Sequence, residues 1–186
     1  MDIPRIPRPT KVTPGLGQML LIAEIDWLDE LAEPQALTGT SAYGDDSRIV
    51  ADHEFLAGKG FRDIYISNRD SELLADYLGS QDSRAVMPRI EAFMPGINPV
   101  TTTFFSEIKG YILLVPDAKC DGQRYVQIGT KCRPAEIPAE SVRMRGGKAE
   151  SNDPSGHEVV INGYADRVLF YEGVVTMYPA PVEPEG

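Results

Sequence analysis

The chain lacks the signatures of a catalyst. Its 186 residues hold no G-x-S-x-G elbow, no phosphate-binding P-loop and no H-E-x-x-H pair. Its one G-x-G, Gly15–Leu16–Gly17, lies in a proline-rich stretch and precedes a strand pattern, where a dinucleotide site needs a helix. Cysteine and histidine are scarce: Cys120, Cys132, His53 and His157 are all there are. The histidines lack zinc-finger spacing, and Asp45–Asp46 lacks the spaced oxygen ligands of a calcium loop. Nothing in the sequence sets either thiol beside His157 as nucleophile and base, and no two carboxylates are marked by spacing as acid and base. The expectation is no catalytic residue, no cofactor and no metal. Long apolar runs are also missing. The longest candidate, residues 19–22, is far short of a membrane span, and prolines stand where a secretion signal would have its apolar core. This predicts no membrane partner and reduced thiols in a cytoplasmic protein, although a Cys120–Cys132 bridge across a hairpin remains open. Positive charge is in deficit, with 18 Lys and Arg against 28 Asp and Glu, a net charge of −10. That excludes a nucleic-acid-binding surface of the usual basic kind.

What is present is a folding chain, 42% hydrophobic and long enough for one domain with a core. Residues 1–17 carry Pro4, Pro7, Pro9 and Pro14 with Arg5, Arg8 and Lys11. This density of proline prevents helix and interior strand, and predicts an extended basic arm, either a disordered tail or, on the sharper reading, an arm that docks on a neighbouring acidic subunit. Residues 18–178 read as a single β domain, and 179–186 as an acidic, proline-rich tail. Strands are expected over 18–27, 61–67, 84–94, 111–115, 124–128, 157–162 and 168–178, from alternation or from buried apolar runs. Residues 28–60 read as a long irregular loop with one short strand near 48–55. A loop of this length in a small domain is functional or mobile, so Phe55 and Leu56 are candidate subunit contacts beside Arg5, Arg8 and Lys11. Residues 68–79 fit a short helix or a hairpin loop, and 143–156 a hydrophilic turn. One helix is well marked: Asn98 can cap it, Pro99 suits its first position, and Phe104, Phe105 and Ile108 form an apolar face. The fold class is mainly β, a β-sandwich or partly closed β-barrel with one short flanking helix, an extended N-terminal arm and a long loop.

From Phe61 onward the order of elements resembles phage tail tube proteins, notably those of tailed phages infecting Bacteroidetes-type hosts. The residues that carry it are FRDIYIS (61–67), IEAFMPG (90–96), ILLVPDAKCDGQRYVQIG (112–129) and INGYADRVLFYEGVVTMY (161–178). The resemblance covers about the last two thirds of the chain, and its motifs are structural. It implies a major tail tube subunit that self-assembles into homohexameric rings. The rings stack into a hollow conduit for phage DNA, sited in the virion tail and assembled in the host cytoplasm. Partners would be other copies of the chain and other tail proteins, with DNA passing through without specific binding. Another tail or capsid-associated protein, of the tail-completion or baseplate kind, is the nearest alternative. A monomeric β-barrel ligand-binding protein or enzyme is the reading from another class. A DNA conduit favours a repulsive, acidic lining. The lumen-charge candidates are Glu24, Asp26, Asp63 and Glu91, on strands with an acidic alternate face.

Overall fold

The structure, a computed structural model, describes residues 16, 18–38, 40–67, 69–80, 83–116, 124–146 and 155–179. The predicted arm and tail and Cys120 lie outside them, except for Leu16 and Pro179 at the borders. Twelve strands are present among the described residues. They are β1 (Met19–Glu24), β2 (Leu28–Glu30), β3 (Arg48–Ile49), β4 (Glu54–Phe55), β5 (Arg62–Tyr65), β6 (Glu72–Ser80), β7 (Ser83–Pro95), β8 (Tyr111–Pro116), β9 (Tyr125–Ile128), β10 (Arg143–Arg145), β11 (Gly156–Asn162) and β12 (Leu169–Tyr171). A six-stranded sheet runs β3-β12-β9-β8-β1-β5 and a four-stranded sheet β10-β11-β7-β6, while β2 and β4 form a separate ribbon. Neither sheet closes on itself, so the fold is mainly β and of the sandwich kind, not a barrel.

The central strands explain the layering. In β1 the even positions Leu20 and Ile22 join Ile90, Ala92, Val159 and Ile161 of the four-stranded sheet in one core. The odd positions Leu21 and Ala23 join a second core with Leu31, Ala32, Ile49, Phe61 and Tyr171. β8 does the same, with Leu113 and Val115 in the first core and Ile112 and Leu114 in the second. A strand buried on both faces reads as a continuous apolar run, as YILLV does. Parts of segment 31–61, among them Leu31 and Ala32, therefore form a third layer over the back of the six-stranded sheet, which β3 of the same segment joins as an edge strand, held by burial at roughly 1.5–3 kcal/mol per large side chain.

The helix α1 (Pro99–Ser106) forms where the cap predicted it. Asn98 Oδ1 accepts the Thr101 N–H at 2.9 Å and Thr101 Oγ1 accepts the Asn98 N–H at 3.3 Å. Phe104 and Phe105 pack on the first core, against Tyr111 and His157 respectively. Ile108 does not share that face: the helix stops at Ser106, Glu107 is extended, and the Ile108 side chain is wholly exposed.

Other expectations need correction. Residues 72–80, read as helix or loop, are a nine-residue strand paired along its whole length with β7. Cross-strand pairing there outweighs the helix-like spacing of Leu73, Leu74, Tyr77 and Leu78. The turn predicted over 143–156 contains β10. The loop contains β2, β3 and β4 rather than one short strand. The last strand is only three residues long. After it the chain leaves the sheet: Val174 N–H donates to Asp52 Oδ1, and residues 176–178 run beside Phe61.

Candidate functional surfaces

The four-stranded sheet presents two open edges and one outer face. β6, at one edge, has nine residues, no proline and two charged side chains. β10, at the other, has three exposed residues. Edge strands with free backbone groups template pairing with another chain. The register fixes the outer face. Glu72 stands opposite Glu91, Leu74 opposite Arg89 and Asp76 opposite Met87 across β6 and β7, and Glu158 stands opposite Phe93 across β7 and β11. Arg89 bridges Asp76 and Glu91, and Arg145 pairs with Glu158 at 2.8 Å. A groove of about 370 Å³ on this side is bordered by Asp70, Glu91, Glu140 and Glu158, with Arg143 its one cation.

The third layer is pinned by a buried polar network. His53 is 2% exposed and its ring lies flat on Tyr171, centroids 4.3 Å apart. Its Nδ1 accepts the Ala32 N–H at 3.2 Å, which leaves Nε2–H to donate to Gln127 Oε1 at 3.0 Å. Gln127 in turn donates to the Gly129 carbonyl, and the Tyr171 hydroxyl accepts the His53 N–H while donating to the Val174 carbonyl. Desolvation by burial lowers the His53 pKa to about 4, partly offset by the Gln127 hydrogen bond and nearby Asp52. This ring is a neutral strut joining the loop, β9 and β12. At the layer's rim, Arg62 lies over Tyr178 at 4.1 Å and Lys59 over Trp27 at 5.1 Å.

The structure scatters the residues singled out from sequence. Glu24 ends β1 and pairs with Lys109 at 2.9 Å, Asp26 sits in the turn after β1, and Asp63 lies exposed on β5. Glu91 alone belongs to the outer face of the four-stranded sheet. Phe55 is half-buried against Phe61, ring centroids 5.1 Å apart, within a single chain, whereas Leu56 remains 46% exposed. Arg5, Arg8 and Lys11 lie outside the described residues. Sequence reasoning missed Glu72, Asp76 and Glu158 as companions of Glu91. The missed signal was β6 itself, whose pairing with β7 aligns them. Among the described residues no group of three or more His, Cys, Asp or Glu is placed to hold a metal ion, and no helix is long and apolar enough to cross a membrane. Cys132 is exposed with a free thiol. Comparison with known families, curated proteins and solved structures finds no match for this chain.

Proposed function

We propose that this chain is a structural virion subunit, the major tail tube protein of a tailed phage. Copies join laterally into homohexameric rings, and rings stack into a conduit through which DNA passes during ejection. The observation that carries this reading is the pair of open edges on one sheet. A β6 edge meeting a β10 edge of the next copy continues the sheet, and closing the series makes a barrel of sheets without a free edge. The outer face then becomes the inner wall. Its carboxylates, Glu72, Asp76, Glu91 and Glu158, outnumber the paired Arg89 and Arg145 and leave Glu72 to repel a phosphate backbone. The grooves on the described surface are open and shallow, which suits assembly better than small-molecule capture. The role needs no cofactor, is filled in the virion tail after assembly in the host cytoplasm, and brings the subunit against other tail proteins at the tube ends.

Negative-stain microscopy of purified full-length protein tests this. Rings or tubes are expected, and the variant Tyr77→Lys with Leu78→Lys, which puts charge on the exposed part of β6, should abolish them. A protein that stays monomeric at high concentration, or a β6 variant that assembles like the parent, would overturn the reading.

A further inference from the structure

The charges of this chain are divided by region. Residues 26–54, which include the β2–β4 ribbon, contain eight carboxylates and one cation, Arg48, with Lys59 following beyond the ribbon. Asp45 pairs with Arg48, Asp46 with Arg167, and Asp52 accepts a backbone N–H. Asp29, Glu30, Glu33 and Glu54 meet no cation among the described residues. Glu30 and Glu54 are cross-strand partners in the β2–β4 ribbon, and both are exposed. Like charges set directly opposite repel, and so short a ribbon has little stability of its own. A cationic partner at this place relieves the repulsion. Leu56, exposed beside the ribbon with its N–H bonded to the Trp27 carbonyl, adds an apolar foothold.

Residues 1–15 are the complement. They hold three cations and a single carboxylate, Asp2. The cations are Arg5, Arg8 and Lys11, every third residue, and Pro4 and Pro7 repeat at the same interval. Polyproline II has three residues per turn and rises about 3.1 Å per residue. In that conformation the three cations share one edge at roughly 9 Å spacing, and Ile3 and Ile6 share another. Proline has already restricted the backbone, so docking sacrifices less entropy.

Leu16, the described residue next to this segment, and the ribbon lie beyond opposite ends of β1. Leu16 packs on the first core, and the Gln18 carbonyl accepts the Ile66 N–H beside the Met19–Tyr65 pair that starts β1. The ribbon follows the other end of β1, about 20 Å away for a strand of this length. A contact between such opposite ends of two copies is head-to-tail and repeats along an axis.

We propose that the basic segment 1–15 of one copy docks, as a polyproline II strand, on the acidic β2–β4 layer of the next copy. This deepens the tube reading by naming its axial contact, but the contact itself requires only two copies and no ring.

Sedimentation of full-length proteins tests it by charge exchange. One variant carries Arg5→Glu, Arg8→Glu and Lys11→Glu, the other Glu30→Lys and Glu54→Lys. Each alone should self-associate along the axis about tenfold more weakly than the parent, and an equimolar mixture should recover, because each then offers what the other lacks. Parent association should also fall steeply by about 0.5 M salt. The neutral variant Glu30→Gln with Glu54→Gln, which leaves exposed side chains of the same shape, should be intermediate. Parent-like association of either reversed variant overturns the proposal. So does a mixture no stronger than its components, or recovery only when both reversals are placed in one chain, which would mean docking within a single copy. Linear chains without rings, weakened by either reversal, would support the docking and defeat the tube reading. Rings that stack identically in all variants would do the reverse.

Discussion

His53 makes the third layer sensitive to acid, and the sign follows from its burial. In the folded chain its pKa is lowered from 6.5 to about 4, by desolvation first. The folded state therefore binds fewer protons than the unfolded chain between those values, and stability rises with pH across that window. The contribution is fully present above pH 6.5 and is lost as the pH falls through about 4. A shift of this size corresponds to roughly 3 kcal/mol, a large fraction of a small domain's stability. Structurally, a second ring proton turns Nδ1 from the acceptor of the Ala32 N–H into a competing donor. Two donors then face each other at a buried site. Equilibrium urea unfolding at fixed protein concentration, repeated between pH 7 and pH 4, gives the parent curve. The same series on His53→Gln removes the titrating ring but keeps side-chain hydrogen bonding. Other groups are the same in both proteins and cancel in the difference. The parent should lose about 3 kcal/mol more than the variant over this range. Parallel curves would refute the assignment of His53 as the buried titrating strut.

Two further substitutions probe other parts of the molecule. A Cβ on Gly156 would sit 2.3 Å from the Met94 carbonyl oxygen and 2.7 Å from the Phe93 ring, so Gly156→Ala should destabilise the fold by about 1–3 kcal/mol or more, measured as a lowered denaturation midpoint. Replacing Glu72 and Glu91 by Lys exchanges an acidic cross-strand pair for a basic one and reverses part of the outer face. Gel-shift assays should show salt-sensitive duplex DNA binding by this variant and none by the parent, and DNA binding by the parent would count against an acidic lumen.

The sequence was most legible where one physical cause acted alone. The unbroken apolar run of β8, the Asn98–Pro99 cap and the alternation in β5 each had a local explanation, and each formed. β6 was illegible because its apolar residues repeat at helical spacing while its strand character comes from pairing with β7, a partner distant from any local window. Residues 169–178 misled for the opposite reason. They look like one long strand, but Gly173 packs against the Ala51 carbonyl and Asp52 captures the Val174 N–H, which pulls the chain out of the sheet. The surface residues fared worst. Glu24, Asp26, Asp63 and Glu91 share alternation but not a face, because a common face depends on strand order, and strand order is set by contacts far apart in sequence.

Strand order also gives the candidate surfaces their independence. Lateral joining would use β6 and β10, which lie at opposite edges of the four-stranded sheet. Exclusion of DNA would use the outer face between those edges, around Glu72, Glu91 and Glu158. Axial docking would use the two ends of β1, Leu16 to Met19 at one and the β2–β4 ribbon beyond the other. The ribbon shares no residue with the other two surfaces, whereas β6 carries Glu72 of the outer face, and Leu73, Leu28 and Phe55 pack against the buried cores. Changes far apart that share no partner combine additively, so loss of one contact need not disturb another. A subunit built this way can form a ring without stacking it, or stack without closing. The hydrophobic layers supply the fold, while uneven charge and open strand edges, which add little to the stability of a single copy, would direct how copies meet under the proposed assembly.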